Sequence, residues 1–466
     1  MDFFSTRYCI DCPEGALSAV LEDSIMHKGH PVAAGSKILE NFISPLDATV
    51  VTRLDDAVVS ILGKTKMDEF GAGGLLLNSE FRIQDSELEI QDSELSTGAV
   101  NAVAEGVASF ALCNDYTGAI SRAAAAKDLC YIHPTYGTVS RYGLVPAVPS
   151  MDQIGIVCKT PTDGRRLLSV IAGFDHKDGA MFNNSEFGIG STEFGIGNSE
   201  SAACEPERIA KKSTSLDISG NEAHLQINTV PDKQLRIGIP TNVISEIQHS
   251  EIKILNSSLN AVTDFSKNFE TVNFELKYYD IYTQVMQILC CAELSNNLTR
   301  YDGIKFGYRA DGYRNLRELY TKSRTEAFGE DAKLASIIGS MVLSQEYYTR
   351  FYDKAMRIRR LIKESLEFDR YDAIILPTCA KFGVRGSEFG IENGQGSRNG
   401  GEDSHVVLPE EVRKPSPGAH VLALHALPRL CGLPAITMPY RDGGITLVAE
   451  ANCENILFSA FEAVEI

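Results

Sequence analysis

The chain has 466 residues, with 44 Lys and Arg against 62 Asp and Glu, so its formal net charge is −18. This excess of acidic residues opposes nonspecific binding to nucleic acid. An apolar content of 44% and a charged content of 23% are typical of a globular protein and exclude a mainly disordered chain. No apolar run is long enough to span a membrane, and the N-terminus lacks the basic segment of a secretory signal. We therefore expect a cytoplasmic protein whose eleven cysteines are reduced thiols.

The first predicted elements are a helix over 53–60 and a buried strand over 61–64. Asp55 and Asp56 favour the start of that helix, because carboxylates are stabilised near a helix N-terminus. The next long stretch, 95–149, has small residues in its first half and a Tyr-Thr-Gly-Ala turn at 116–119. Glycine leaves backbone N–H groups uncovered, so this stretch is typical of backbone that closely approaches a ligand or an oxyanion.

The later elements follow from runs of apolar residues and from helical spacing. We predict strands over 235–240 and 372–377, helices near 250–267, 280–299, 313–327 and 331–367, and strands followed by a helix from 432 to 466. In the longest helix, the candidate core side chains are Tyr347, Phe351, Met356, Ile358 and Ile362.

Three low-complexity segments, at about 78–94, 183–200 and 386–403, repeat short words such as Ser-Glu-Phe and Ser-Glu-Leu. The first has a period of seven, but its apolar residues are spaced by two, which argues against a coiled coil. The copies are not contiguous, so they do not indicate a solenoid. We interpret them as peptide inserted into surface loops, with a binding role as the alternative.

Motifs for metals and phosphates are incomplete. Cys9 and Cys12 form one C-x-x-C without a second pair at zinc-ligand spacing. Gly35-Ser36-Lys37 lacks the rest of a phosphate-binding loop, and the histidines, such as His133 and His425, stand at no metal-binding spacing. We predict no metal site and no cofactor in this chain.

Several longer words identify a family that the chain resembles. They are Gly35–Phe42, Asp47–Val51, Gly63–Phe70, Pro134–Val145, Met151–Gly155, Arg300–Gly303, Thr321–Arg324 and Phe328–Glu330. On these words the chain resembles the amidase signature family over nearly its whole length. Within that family it is most similar to the A subunits of the aspartyl/glutamyl-tRNA amidotransferases.

The resemblance implies a fold and a function. The fold would be a single α/β domain over 1–466, a mixed β-sheet covered by helices on both sides, with the family's N-terminal helical cap mostly missing. The function would be that of a glutamine amidohydrolase, which supplies ammonia for tRNA-dependent formation of Gln or Asn within a ligase of protein biosynthesis. The implied partners are the B and C subunits. A partner subunit would use ATP and Mg²⁺, and tRNA would be bound only through a partner.

The catalytic residues of the family are all substituted in this sequence. Enzymes of the family use a serine nucleophile, a second serine in a cis peptide and a lysine. On the resemblance, these three positions fall on Ala119, Leu95 and Glu22. Ser96 and Ser121 are nearby hydroxyls, but even a small displacement of a nucleophile is costly. We therefore predict that no catalytic triad is intact.

Other parts of the family's site are kept. Tyr116, Thr117 and Gly118 occupy the oxyanion loop. Arg324 stands where the family's arginine is expected to pair with the carboxylate of glutamine, and a guanidinium suits that role by its fork geometry. The alternative for Arg324 is a surface or helix-capping side chain. Tyr301 would line the same pocket, with packing in the core as its alternative.

Three interpretations follow from these substitutions. The chain is a catalytically inactive relative of the amidases, or a noncatalytic scaffold that binds the B and C subunits, or a working glutaminase with a relocated triad. The first two agree with the missing nucleophile, and the third requires Ser96 or Ser121 to replace it.

Overall fold

The computed structural model describes residues 3–8, 17–73, 75, 98–181, 235–249, 256–378 and 417–464. Over these residues the chain forms an α/β domain on one mixed sheet with helices on both faces, as predicted. The three repeat segments at about 78–94, 183–200 and 386–403 lie outside the described residues, as do Cys9, Cys12, Leu95 and Ser96.

The described part of the chain contributes eleven strands to the sheet. They are β1 (Phe4–Arg7), β2 (Ser18–Glu22), β3 (Ser60–Thr65), β4 (Phe110–Asn114), β5 (Cys130–His133), β6 (Ile154–Cys158), β7 (Arg236–Pro240), β8 (Glu270–Phe274), β9 (Ala373–Thr378), β10 (Ala435–Tyr440) and β11 (Gly443–Ala449). Their order in the sheet is β1-β3-β2-β4-β6-β5-β10-β11-β9-β7-β8. The pairs β3/β2, β2/β4, β9/β7 and β7/β8 are parallel, and the other pairs are antiparallel.

Twelve α-helices lie in the same described ranges. They are α1 (Thr49–Asp56), α2 (Gly98–Ala104), α3 (Ala119–Ala126), α4 (Pro161–Ile171), α5 (Thr241–His249), α6 (Asn256–Ser266), α7 (Tyr282–Leu298), α8 (Leu316–Ala327), α9 (Glu330–Val342), α10 (Lys354–Glu364), α11 (Pro417–Cys431) and α12 (Glu454–Glu462). None of the described helices is both long enough and apolar enough to cross a membrane.

The sheet is buried between two layers of helices, and strand β2 shows why. Ala19 and Leu21 pack into the cluster formed with α1, α4, α6 and α12, whereas Val20 packs on the opposite face with α2 and α3. Successive side chains of a strand point to opposite faces. A strand covered on both faces therefore has an apolar middle, and all five residues of β2, including the polar Ser18 and Glu22 at its ends, are buried.

The predicted strands and most helices are confirmed, but two helix predictions are wrong. Helix α1 begins at Thr49, so Asp55 and Asp56 lie in its last turn and not at its start. Burial of Val50 and Val51 against the core places the helix there, and this packing outweighs the weaker preference of carboxylates for the first turn.

The single helix predicted over 331–367 is two helices, α9 and α10, joined by a turn and by a π-helical segment at Thr349–Asp353. The carbonyl of Ser344 accepts hydrogen bonds from the turn that follows it. Met356 is 40% exposed, so its predicted place in the core is wrong, whereas Ile362 is fully buried as predicted.

The small residues that begin the 95–149 stretch form helix α2 from Gly98 onward and not a loop. At Gly98 the backbone closely approaches another segment of the chain, whereas the predicted approach to a ligand or an oxyanion stays a prediction. A Cβ atom at Gly98 would lie 2.4 Å from the carbonyl oxygen of Phe3, closer than any side chain tolerates. Small residues in this stretch therefore let α2 pack closely on the sheet, mainly on β4 and β2.

Candidate active site

Two of the family's triad positions, Glu22 and Ala119, lie at the same end of the sheet, where the neighbouring strands β2 and β4 finish. The two strands are parallel neighbours, with Leu21 aligned to Leu112, so their carboxyl ends emerge together, where sites form in α/β folds. Glu22 is the last residue of β2, and the turn before α3 follows Asn114 at the end of β4. The backbone N–H of Asn114 donates to Oε2 of Glu22 at 2.9 Å.

Glu22 is a buried carboxylic acid. Its side chain is 1% exposed, and its Oε2 also accepts a hydrogen bond of 2.8 Å from the hydroxyl of Ser24. Burial raises the pKa of Glu22 to about 8, because the two hydrogen bonds only partly offset the loss of hydration. Glu22 is therefore neutral at pH 7, and a neutral acid cannot accept a proton as an amine does.

The turn before α3 places Ala119 where a helix begins. Gly118 has φ 81°, a left-handed conformation suited to glycine, and Ala119 is the first residue of the helix. The backbone N–H of Ala119 donates to the hydroxyl of Thr117 at 3.3 Å. The hydroxyl of Tyr116 donates to the carbonyl of Phe70 at 3.0 Å. The predicted oxyanion loop thus forms an ordered, internally bonded turn.

Asp115 closes the first turn of α3. Its two carboxylate oxygens accept hydrogen bonds of 3.0 Å from the N–H groups of Ile120 and Ser121. Its Oδ2 also lies 2.5 Å from Nη2 of Arg429, and both side chains are buried. Burial alone would raise the pKa of Asp115, but Arg429 and the two N–H groups outweigh it and lower the pKa to about 2.

Ser121 does not present a free hydroxyl. Its side chain is fully buried, and its Oγ donates to the carbonyl of Gly118 at 3.0 Å. The same oxygen accepts a hydrogen bond of 3.0 Å from Arg429 and lies 3.3 Å from Nδ1 of His425. A serine beside a histidine is the usual pair of nucleophile and base. Here burial and the nearby arginines hold the pKa of His425 well below its usual range, and no surface of Ser121 is open to a substrate.

A buried lysine lies next to the end of β2, and no pattern in the sequence indicated its role. Nζ of Lys64 is 3.4 Å from a carboxylate oxygen of Asp23 and donates to the carbonyls of Asp23 and Pro31 at 3.2 and 3.0 Å. Burial lowers the pKa of Lys64 to about 8, although Asp23 opposes the shift. Through these contacts, the amine of Lys64 on β3 holds the loop that follows β2.

Arg324 and Tyr301, the predicted substrate-binding residues, lie close together. Nη1 of Arg324 donates to the carbonyls of Leu298 and Tyr301 at 2.7 and 3.1 Å, and its guanidinium lies 4.7 Å from the ring centre of Phe328. Arg324 thus caps the end of α7. Tyr301 is 5% exposed and stacks on Phe70 with 5.5 Å between ring centres.

Among the described residues, no group of three or more His, Cys, Asp or Glu side chains is arranged to hold a metal ion. The seven cysteines in these ranges are buried free thiols: Cys113, Cys130, Cys158, Cys290, Cys291, Cys431 and Cys453.

Comparison with known proteins agrees with both the fold and the sequence words. A family model described as Amidase matches residues 17–188 and 203–399. The chain belongs to the amidase family. Among solved structures, the amidase fold recurs in the glutamyl-tRNA(Gln) amidotransferase A chain of Thermotoga maritima. That comparison has a TM-score of 0.63 and 22% identity and covers 99% of this chain and 86% of that one. A 6-aminohexanoate cyclic dimer hydrolase matches with a TM-score of 0.61 and 15% identity, over 96% and 84% of the two chains. At these identities, the two matches show the fold alone.

Relatives in the amidase family are closer in sequence. The A subunit of glutamyl-tRNA(Gln) amidotransferase from Lachnoclostridium phytofermentans is 38% identical over 373 residues, which cover 79% of this chain and 68% of that protein. The protein of the same name from Trichodesmium erythraeum is 31% identical over 452 residues, or 94% and 81% of the two chains. The family predicted from the sequence words is thus confirmed.

Proposed function

We propose that this amidase-family chain takes the place of the A subunit in a tRNA-dependent amidotransferase without hydrolysing glutamine. It would act as a noncatalytic scaffold for the B and C subunits in the cytoplasm. The names of its relatives support the assembly, and the site supports the loss of activity. ATP and Mg²⁺ would be used by a partner subunit, and tRNA would also be bound only through a partner.

One observation carries the proposal. The residue at the start of α3, where the resemblance puts the nucleophile, is Ala119, and alanine has no oxygen to attack an amide. The hydroxyl nearest in sequence on the same helix, Ser121, is fully buried and bonded to Gly118 and Arg429. Glu22, in the place of the family's lysine, is a neutral acid that cannot activate a hydroxyl. Loss of a nucleophile leaves only the residual acceleration from binding and oxyanion stabilisation.

A glutaminase assay tests the proposal. The purified chain, alone and with the B and C subunits, should release ammonia from glutamine no faster than a buffer control. Release that is abolished by Ser96→Ala or by Ser121→Ala would establish a relocated triad and refute the proposal. Failure of the chain to co-purify with the B and C subunits would remove the scaffold role.

Restoring the three family residues tests how far the site has diverged. We expect that the triple substitution Glu22→Lys, Leu95→Ser, Ala119→Ser does not restore glutaminase activity. The N–H of Asn114 donates to residue 22, and an ammonium group at that position would meet a donor where it needs an acceptor. In addition, the first repeat ends one residue before Leu95, so we expect that it keeps the serine at position 95 away from its place in the family's site. Ammonia release well above that of the parent chain would show that the surrounding site is still competent.

A further inference from the structure

A group of polar side chains is buried on the face of the sheet that α3 covers. Tyr131, His133 and Gln153 are 1%, 3% and 1% exposed. Four of their polar atoms have no hydrogen-bond partner among the described residues: the hydroxyl of Tyr131, Nδ1 of His133 and both amide atoms of Gln153. Buried polar groups are almost always hydrogen-bonded, either to the protein or to ordered water. Four such atoms on neighbouring side chains therefore indicate that a small molecule binds there.

The register of the strands makes the three side chains neighbours. In the antiparallel pair of β5 and β6, Tyr131 lies opposite Val157, and both pack on the face that α2 and α3 cover. Since alternate side chains of a strand share a face, His133 and Gln153 point to that face too. The same register puts His133 opposite Gly155, so Gln153 is its diagonal neighbour, at a separation that a long side chain spans.

Gly155 admits the Tyr131 hydroxyl to this group. A Cβ atom at Gly155 would lie 2.2 Å from that hydroxyl oxygen, so the hydroxyl takes the place of a side chain beside Gln153. The polar atoms of the three residues thus converge on one region of the sheet face. Buried polar atoms that do not reach one another directly are commonly bridged by water.

The hydrogen-bonding chemistry of the group selects a neutral ligand. The buried ion pair of Asp115 and Arg429 lies next to it, and its two charges already satisfy each other. Burial and Arg429 lower the pKa of His133 to about 3, so its imidazole is neutral at pH 7. The amide of Gln153 needs both a donor and an acceptor. An anion cannot donate to the amide oxygen and a cation cannot accept from the amide N–H, whereas water does both.

We propose that Gln153, His133 and Tyr131 together form a hydration site that holds at least one internal water molecule. The water would donate to the amide oxygen of Gln153 and accept from its N–H or from the Tyr131 hydroxyl. Internal waters of this kind make about three hydrogen bonds and are costly to remove. Because α3 packs on β5 and β10, the water would help to support the helix that begins at Ala119. The inference concerns the buried interior alone and does not depend on the proposed function.

A crystal structure of the full chain at a resolution that shows ordered water tests this site. We expect a water oxygen within about 2.6–3.2 Å of the Gln153 amide and of Tyr131 or His133. Gln153→Met keeps the length of the side chain and removes its polar atoms, so crystals of this variant should lack that oxygen. Gln284→Met, at an exposed glutamine of α7, is the matched control and should keep it. A parent structure without this water, or with an ion in its place, would overturn the inference.

Melting curves give a second test, which holds even if Gln153→Met does not fold. Tyr131→Phe should lower the melting temperature by about 1–2 °C, because it removes a hydrogen bond to the water. In a dry interior the same change would raise the melting temperature, since it removes a buried hydroxyl that has no partner. Tyr348→Phe, at a tyrosine that is 44% exposed, is the control and should melt with the parent. A Tyr131→Phe variant that melts at or above the temperature of the parent would contradict the hydration site.

Discussion

The buried acid at position 22 makes a stability prediction that can be worked from its surroundings. Both hydrogen bonds to the Glu22 carboxyl reach Oε2, from the hydroxyl of Ser24 and the N–H of Asn114. A glutamine can accept both with its amide oxygen, and it resembles the neutral acid in shape. The substitution Glu22→Gln therefore keeps the contacts and removes only the ability to ionise.

The size of the effect follows from linkage between protonation and folding. Below pH 4.5, the ordinary pKa of a glutamic acid, Glu22 is neutral in the folded and the unfolded chain. Between pH 4.5 and about 8, only the unfolded chain loses its proton, so stability falls as the pH rises, by about 1.4 kcal/mol per pH unit. At pH 7 the accumulated loss is on the order of 3 kcal/mol, and above pH 8 it levels off because both states are ionised.

Urea unfolding of the parent and the Glu22→Gln variant between about pH 5 and 9 measures this difference. We expect the variant to be the more stable of the two above about pH 5, by a margin that grows to about pH 8 and then stays constant. The control is Glu105→Gln, at an exposed residue, whose curve should run parallel to that of the parent. A Glu22→Gln curve that also runs parallel to the parent, or lies below it at about pH 8, would refute the assignment of a neutral buried acid.

Three further predictions concern the same edge of the sheet and the core. Arg429→Met leaves the carboxylate of Asp115 buried without its cation, so it should lower the free energy of unfolding by about 3–5 kcal/mol. A loss below about 1 kcal/mol in urea titrations would contradict the pairing of Arg429 with Asp115. Gly118→Ala puts a Cβ atom 2.6 Å from Cβ of His425 at φ 81° and should lower the melting temperature by several degrees, whereas an unchanged melting curve would show that the turn adapts. Seven of the eleven cysteines are buried, so a thiol reagent should react with at most four in the native chain and with all eleven in denaturant. More than four fast-reacting thiols in the native chain would contradict the burial of the seven.

Local patterns in the sequence predicted much of the fold. Strand β9 was visible as a short run of buried β-branched and leucine residues ending at Pro377, and α7 as a long apolar helical pattern. The break between α9 and α10 was not visible. No Gly or Pro occurs between Gly339 and Ser365, and the helical spacing continues across the turn, so no local signal in the sequence marks the break.

The candidate site, too, could be predicted only in part from the sequence. Ala119 and Glu22 could be placed by their positions within family words, and the structure brings both to the carboxyl ends of β2 and β4. The side chains that surround Ser121, the hydroxyl nearest to Ala119 on α3, could not be predicted. Arg429 and His425 lie more than 300 residues from Ser121 in the sequence, and no local pattern links residues so far apart. Burial, which makes Glu22 a neutral acid, also depends on the assembled sheet.

Trapping of an acyl-enzyme tests the central claim most directly, because any glutaminase that uses a serine nucleophile must form one. The purified chain, with the B and C subunits bound, is incubated with an electrophilic glutamine analogue and analysed by intact-mass and peptide mass spectrometry. The absence of a serine at position 119 and of a lysine at position 22 predicts a chain without an adduct on serine, while an active amidase treated in parallel gains one. A stoichiometric adduct on Ser121 or Ser96 would contradict the account.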